Sequence, residues 1–220
     1  MNAVDVYTGP LGDAYWARNQ AVVWEQRFVR RAWLRTLAPQ WADEPWLEAG
    51  CGKRANIYCT DVGVDLVDHG GNLVADIRSM PMFADRVFPV AFCVGVLMHL
   101  PDGEWQKGLA ELCRVARYVV IIGEYVAPVE HDLRWNPETG THGDGLPGLL
   151  WTRPYAALGG WRKQETWQTP GSEQLRERSF GLASEPMYET PIARRGRRLP
   201  GFGSDVTFLV FQRETPLKTA

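Results

Sequence analysis

Trp46-Leu47-Glu48-Ala49-Gly50-Cys51-Gly52 reads as a short buried strand that ends in an acid and turns sharply. Two apolar residues lead into Glu48, and two glycines come next in G-x-G spacing. Glycine permits the tight turn and leaves bare main chain against which a ligand can lie. A carboxylate at the strand end accepts hydrogen bonds, so it suits a cationic or hydroxyl-bearing ligand better than a phosphate. The phosphate-cradling pattern G-x-x-x-x-G-K-[ST] is absent. G-x-G alone also describes an ordinary turn between strand and helix, so the decision falls to the residues after it. Val62-Gly63-Val64-Asp65 and Leu73-Val74-Ala75-Asp76 are two more strand-like runs that end in acids. Three such runs in an α/β pattern predict a nucleoside ligand lying across the carboxyl ends of a parallel sheet.

Composition is consistent with one domain of this kind. The chain has 220 residues, enough for one α/β core and too few for two. Hydrophobic residues make up 45%, as in globular chains. The net charge of −2 offers no whole-protein attraction to nucleic acid, although Arg194-Arg195-Gly196-Arg197-Arg198 is a local basic run. No apolar run is long enough for a bilayer, and Met1 to Ala14 has neither the basic start nor the apolar stretch of a signal peptide, so a cytoplasmic location is expected. Cys51, Cys59, Cys93 and Cys113 form no C-x-x-C pair; Cys93 and Cys113 sit in apolar surroundings and are expected as buried thiols. His131 and His142 lie near Asp132 and Asp144 in a spacing that fits no metal template, and no metal is expected.

In chain order, a helix over about 20–37 places Ala21, Val22, Trp24, Phe28, Val29, Ala32 and Trp33 on one face, leaves Arg27, Arg30, Arg31 and Arg35 mostly to solvent, and stops at Pro39. Strands are expected at about 45–49, 62–65, 73–76, 87–97, 118–123, 161–169 and 206–212. Only Lys53 to Asp61 separates the first two, so the helix between them has a turn or two at most. Asp102 should cap a helix whose core stripe is Trp105, Leu109, Leu112, Val115 and Ala116. Residues 126–150 are rich in glycine and proline without periodicity, as in a lid; Arg153 to Leu158 reads as a short helix.

The run from Trp46 to Tyr125 resembles class I S-adenosylmethionine-dependent methyltransferases. More narrowly, the chain is similar to methylases associated with pseudaminic acid biosynthesis. The likeness is carried by Tyr7-Thr8-Gly9-Pro10-Leu11-Gly12-Asp13-Ala14-Tyr15 with Arg18-Asn19, by Glu48-Ala49-Gly50 with Asn56, by Gly95-Val96-Leu97-Met98-His99-Leu100 and by Gly123-Glu124-Tyr125. It extends more faintly through Pro128-Val129-Glu130 and Leu150-Trp151-Thr152-Arg153. The resemblance implies an α/β, Rossmann-like fold: a mostly parallel seven-stranded sheet with helices on both faces and an irregular substrate lid. Residues 1–220 then form one domain, with a helical arm over 1–40, a cofactor-binding half over 45–125, an acceptor-side lid with insertions over 126–205 and a last strand over 206–213.

The implied cofactor is S-adenosylmethionine. Glu48 is expected to hold its amino group, Gly50 and Gly52 to admit its methionine tail, Asp65 to take both ribose hydroxyls, and Asp76-Ile77 to meet the adenine. Asn56 either contacts the cofactor or caps the shortened helix; Tyr15 and Arg18 either close over the cofactor carboxylate or face solvent. His99 falls just past the fourth strand and titrates near neutrality, so it is a candidate general base or a packing residue. Glu124 and Glu130 are the alternative bases. Tyr125, Arg134, Trp135 and Arg153 are candidate acceptor contacts. With Arg162, Lys163, Trp151, Trp161 and the Arg194–Arg198 run, they suggest an anionic, ring-bearing small molecule, such as an acidic sugar or a sugar nucleotide. Membrane and nucleic-acid partners are not expected. The other functions in view are a nucleic-acid methyltransferase, prompted by the arginine run, and a cofactor-binding subunit without activity.

Overall fold

The computed structural model describes residues 8, 34–52, 61–101, 103–124, 131–132, 151–156, 158–168 and 207–214. The strands are β1 (Leu47–Ala49), β2 (Val62–Asp65), β3 (Leu73–Val74), β4 (Phe88–Val94), β5 (Ala116–Glu124), β6 (His131–Asp132), β7 (Trp151–Thr152), β8 (Trp161–Gln168) and β9 (Thr207–Arg213). Seven of them form one sheet in the order β3-β2-β1-β4-β5-β9-β8, while β6 and β7 pair separately. β1 to β5 pair in parallel, and β9 runs antiparallel to both β5 and β8. The strand order reverses between β1 and β4, which opens a crevice at their carboxyl ends where ligands bind in sheets of this type.

Strict alternation along the central strands builds two cores, one on each face. On one face, Ala91 and Cys93 of β4, Val120 and Ile122 of β5, and Leu209 and Phe211 of β9 pack with Leu109, Leu112 and Val115 of the helix α1 (Glu104–Val115). On the other, Val90, Phe92, Val119, Ile121, Phe208 and Val210 pack with Trp46, Leu34 and Ala38. Strands buried on both sides need apolar residues at every position, which is why β4 and β5 read as unbroken apolar runs. In β4 the pairing register shifts between Phe88 and Val90, where Pro89 has no N–H to give the ladder. Gly108 lets α1 approach the turn after β4; a Cβ there would lie 2.9 Å from Leu97 Cδ2.

Several boundaries differ from expectation. β3 is two residues long, and Asp76 lies beyond it in an isolated bridge to Ser79. β4 stops at Val94, not at residue 97, because Gly95 takes φ +67° and Leu97–His99 coil into a 3-10 turn. β5 is longer than expected and starts directly where α1 ends. The N-cap of α1 is Gly103 in the left-handed conformation, with no side-chain cap, instead of Asp102. Arg153 to Leu158 does not form the expected helix; Pro154 disfavours helical backbone at Arg153, which forms a bridge instead. The expected helix over 20–37 is described only at its end, Leu34 to Thr36, and the stretches 53–60 and 126–130 lie outside the described residues.

Arg35, expected in solvent, is a clasp. Its Nη2 lies 2.5 Å from Oδ1 of buried Asp61, which also accepts the Trp46 N–H at 3.0 Å. Its guanidinium covers the Trp46 ring, 4.8 Å from the centroid. One carboxylate thus ties the first helix to the entrances of β1 and β2. Asp61→Ala leaves a buried N–H and a largely buried guanidinium without this acceptor. Urea denaturation should show a loss of about 2–4 kcal/mol; a loss below about 0.5 kcal/mol, the range of ordinary surface changes, would show the clasp to be incidental.

Candidate active site

The G-x-G turn sits at the reversal of strand order. Gly50 and Gly52 have φ of +73° and +61°, and the Gly50 and Cys51 N–H groups both donate to the Val64 carbonyl, at 2.8 and 3.0 Å. The turn is thereby fastened to β2. A side chain at Gly50 would collide with Val96 Cγ2, so this position is closed to larger residues by a neighbour as well as by its backbone. Glu48, 7% exposed, is the middle residue of β1, which runs on to Ala49 before the turn.

Asp65 joins the turn to the next loop. Its Oδ2 accepts the Gly52 N–H at 2.7 Å, and its Oδ1 lies 3.6 Å from His69 Nε2. Sequence reasoning misses His69, for which the only signal is its place four residues after the acid. Its N–H donates to Asn72 Oδ1 at 2.7 Å, and Asn72 Nδ2 donates to the Val67 carbonyl at 2.9 Å, which shapes the loop after β2. Asp76 is gripped by Arg78, whose Nε lies 2.9 Å from each carboxylate oxygen and whose Nη1 reaches Glu104 Oε2 at 2.7 Å. Burial pushes the Asp76 carboxyl up, but its bonds to Arg78 outweigh that and hold it below the usual range. Ile77 is buried in the core.

The turn after β4 is held from two sides. Glu124, fully buried at the end of β5, accepts the Val96 and Leu97 N–H groups on Oε1, at 3.0 and 2.9 Å, and the Met98 N–H on Oε2, at 3.1 Å. Arg153, also fully buried, donates from Nη1 to the Leu97 carbonyl at 2.8 Å and from Nη2 to the Leu100 carbonyl at 2.5 Å. The guanidinium lies 5.6 Å from the Trp105 ring centroid and 5.3 Å from that of Trp151. Burial raises the Glu124 carboxyl to about 7, against the pull of the three N–H groups and the Arg153 charge. The half-buried His99 closes this turn, with its N–H donating to the Val96 carbonyl at 3.1 Å.

These positions correct three expectations. Glu124 does not lie at the rim: it is sealed in the core, and both its oxygens hold main chain. Arg153 is not at the surface of the crevice but fully buried, with Nη1 and Nη2 on the carbonyls of the turn. Arg162 and Lys163 pair with Gln212 and Phe211, which pair in turn with Val119 and Val120, so they lie toward the amino end of β5 and away from the crevice. Trp161 is buried there, under the Arg213 guanidinium at 4.4 Å. Cys93 and Cys113 are buried free thiols, as expected, and Cys51 is a third. Tyr15, Arg18, Asn56, Tyr125, Glu130, Arg134, Trp135, His142 and Arg194–Arg198 lie outside the described residues, as do the side chains of His131 and Asp132.

No protein-family model matches the sequence, and no curated protein matches it. Solved structures do. The chain is similar to the 1,6-didemethyltoxoflavin-N1-methyltransferase of Burkholderia thailandensis, solved with 1,6-didemethyltoxoflavin and S-adenosylhomocysteine, at a TM-score of 0.55 and 13% identity over 93% of this chain and 86% of that one. It is also similar to magnesium protoporphyrin IX methyltransferase of Synechocystis PCC 6803, solved with S-adenosylmethionine, at a TM-score of 0.51 and 14% identity over 97% and 98% of the two chains. The chain has the Rossmann-like methyltransferase fold. In that fold the Gly50 turn and the acids of β1 and β2 occupy the crevice at the switch point, and the turn that ends in His99 borders it through Val96. Among the described residues, no group of acids, histidines and cysteines could hold a metal ion, and no helix is long and apolar enough to cross a membrane.

The raised Glu124 carboxyl has a measurable consequence. Its value moves from the ordinary 4.5 to about 7 in the folded chain, so the folded state binds this proton more tightly than the unfolded state does. Its contribution to stability is therefore fully present below about 4.5 and is lost as pH rises to about 7. Denaturant titrations of the parent and of Glu124→Gln should diverge across that window by on the order of 3 kcal/mol, with the parent losing ground as pH rises. A difference that stays constant with pH would contradict it.

Proposed function

We propose that the protein is an S-adenosylmethionine-dependent methyltransferase that acts on an oxygen or nitrogen nucleophile of a small molecule. The observation that supports this most is the fastened glycine turn at the switch point, flanked by the carboxylates of Glu48 within β1 and Asp65 at the end of β2. At Gly50 the turn packs directly against Val96, and neither Gly50 nor Gly52 brings a side chain to the crevice. Asp65 keeps acceptor capacity after taking the Gly52 N–H, since a carboxylate offers about four lone-pair sites. These residues fit a cofactor that carries an amine and ribose hydroxyls without a pyrophosphate.

In this assignment Glu48 holds the amino group, Gly50 and Gly52 flank the methionine tail, and Asp65 takes the ribose hydroxyls. Asp76 meets the adenine amine with the little capacity that Arg78 leaves it. When bound, S-adenosylmethionine supplies an electrophilic methyl group and its own leaving group. The protein then has to orient the acceptor, a contribution of about 7–11 kcal/mol in well-aligned reactions, and remove a proton where the nucleophile carries one. His99 is assigned that proton, because Glu124 is committed to the main chain. Tyr15, Arg18 and Asn56 are assigned to the cofactor, Glu130 to the base if His99 is not, and Tyr125, Arg134 and Trp135 to the acceptor. The sequence resemblance favours a sugar, a sugar nucleotide or a related secondary metabolite. An anionic acceptor would meet Arg134 and the Arg194–Arg198 run.

The test is transfer of label from methyl-labelled S-adenosylmethionine to a pool of sugars and sugar nucleotides, run beside RNA and DNA. Label in the small-molecule fraction is expected. Label confined to polymer would favour nucleic acid, and no label anywhere would favour a subunit without activity. Asp65→Ala should weaken S-adenosylhomocysteine binding by more than about tenfold, through charge-assisted bonds worth about 1.5–3 kcal/mol each. His99→Ala should lower turnover, remove a limb of the pH profile near neutrality, and leave cofactor affinity close to that of the parent. Full activity in His99→Ala would return His99 to a packing role and move the proton transfer to Glu130.

A further inference from the structure

The turn over residues 95–100 touches both halves of the site. Its first part packs on the glycine turn: Val96 Cγ2 occupies the space that a side chain at Gly50 would need. Its last part carries His99. Between these ends, the main chain is held by side chains distant in sequence. Glu124 fills the N–H groups of Val96, Leu97 and Met98, and Arg153 fills the carbonyls of Leu97 and Leu100. Within the turn the Leu100 N–H reaches the Leu97 carbonyl, but the N–H groups of Val96, Leu97 and Met98 and the Leu100 carbonyl take their partners from these two side chains, and burying such groups without partners is costly. Gly108 of α1 leaves room for Leu97 beneath the turn.

We infer that Glu124 and Arg153 are positioning residues that set the cofactor turn and the acceptor-side turn as one unit, with Val96 as the contact between them. This inference rests on the cofactor assignment above. Neither side chain touches cofactor or acceptor; each acts through the main chain of residues 96–100. Release of the Val96 N–H lets the Val96 side chain move off Gly50, and the methionine-tail site loosens with it. Release of Met98 and Leu100 shifts His99. The groups that face the Glu124 carboxylate are Cys93 from β4, the three N–H groups of the turn, and Arg153 and Tyr155 from the segment after β7. Protonation of Glu124 removes an acceptor site from a carboxylate already engaged by three donors, so cofactor affinity is coupled to this proton.

Two measurements on the full chain test this, with parent, Glu124→Gln, Arg153→Lys and Val96→Ala compared after circular dichroism confirms folding. The first is amide hydrogen exchange at residues 96–98; the second is calorimetric titration with S-adenosylhomocysteine from pH 6 to 8. In Glu124→Gln the three amides should exchange at least about tenfold faster, the dissociation constant should rise at least about tenfold, and its pH dependence near 7 should flatten. Val96→Ala should weaken binding while leaving exchange at Leu97 and Met98 as in the parent, which a general loss of stability would not do. Arg153→Lys, which keeps the charge and loses the fork, should speed exchange and weaken binding in the same direction, and it decides the matter with Val96→Ala if Glu124→Gln does not fold. Unchanged affinity in the folded variants overturns the inference. If the parent does not bind S-adenosylhomocysteine, the cofactor assignment fails, and slow exchange at residues 96–98 that survives Glu124→Gln would overturn the clamp as well.

Discussion

One buried carboxylate organises the working end of this molecule. Glu124 sits at the last position of β5, with no solvent contact, and receives three consecutive N–H groups from the turn after β4. Burying a charge is costly unless donors surround it, and here the donors are main-chain groups that also need partners. Each need meets the other. The Arg153 guanidinium completes the arrangement from the opposite side by donating to the Leu97 carbonyl, which also takes the Leu100 N–H, and to the Leu100 carbonyl. The result is a six-residue stretch, only a single 3-10 turn of it regular, fixed at the place where the strand order of a parallel sheet reverses.

The rest of the site depends on that stretch. Val96 closes the space above Gly50, so the glycine turn has one wall in common with the turn after β4. Asp65 holds the other side of the glycine turn through the Gly52 N–H and lies beside His69. Two carboxylates therefore support the crevice from different strands: Glu124 supports the β4 side and Asp65 the β2 side. They sit in opposite environments. Glu124 is sealed from water and pushed toward neutrality, whereas Asp65 retains some exposure at the crevice. That contrast separates a residue that shapes the site from one that can meet a ligand.

Much of this is legible in the sequence wherever the physics is local. The G-x-G turn, the acid that closes β2, the apolar β4 and β5 and the stripe of α1 depend on neighbours within a few residues, and the structure has them; β1 runs one residue past its acid, to Ala49. The resemblance to methyltransferases anticipates the fold. What escapes is non-local. Glu124 and its N–H partners are 26 to 28 residues apart, and Arg153 lies 56 residues from Leu97. A polar side chain at the end of an apolar strand looks like a rim residue until its partners are known. Arg35 reads as solvated for the same reason, since Asp61 is 26 residues away. Arg162 and Lys163 read as rim residues because strand order cannot be seen in the sequence; the antiparallel pairing of β8 with β9 puts them at the opposite end.

The most direct measurement is a crystal structure of the complex with S-adenosylhomocysteine. The expected complex has the ribose hydroxyls on Asp65, the amino-acid tail along Gly50 to Gly52, the sulfur on the side of the turn that ends in His99, and Glu124 still accepting the N–H groups of Val96, Leu97 and Met98. A ligand bound away from the switch point, or one seated there with that turn released from Glu124, would contradict it.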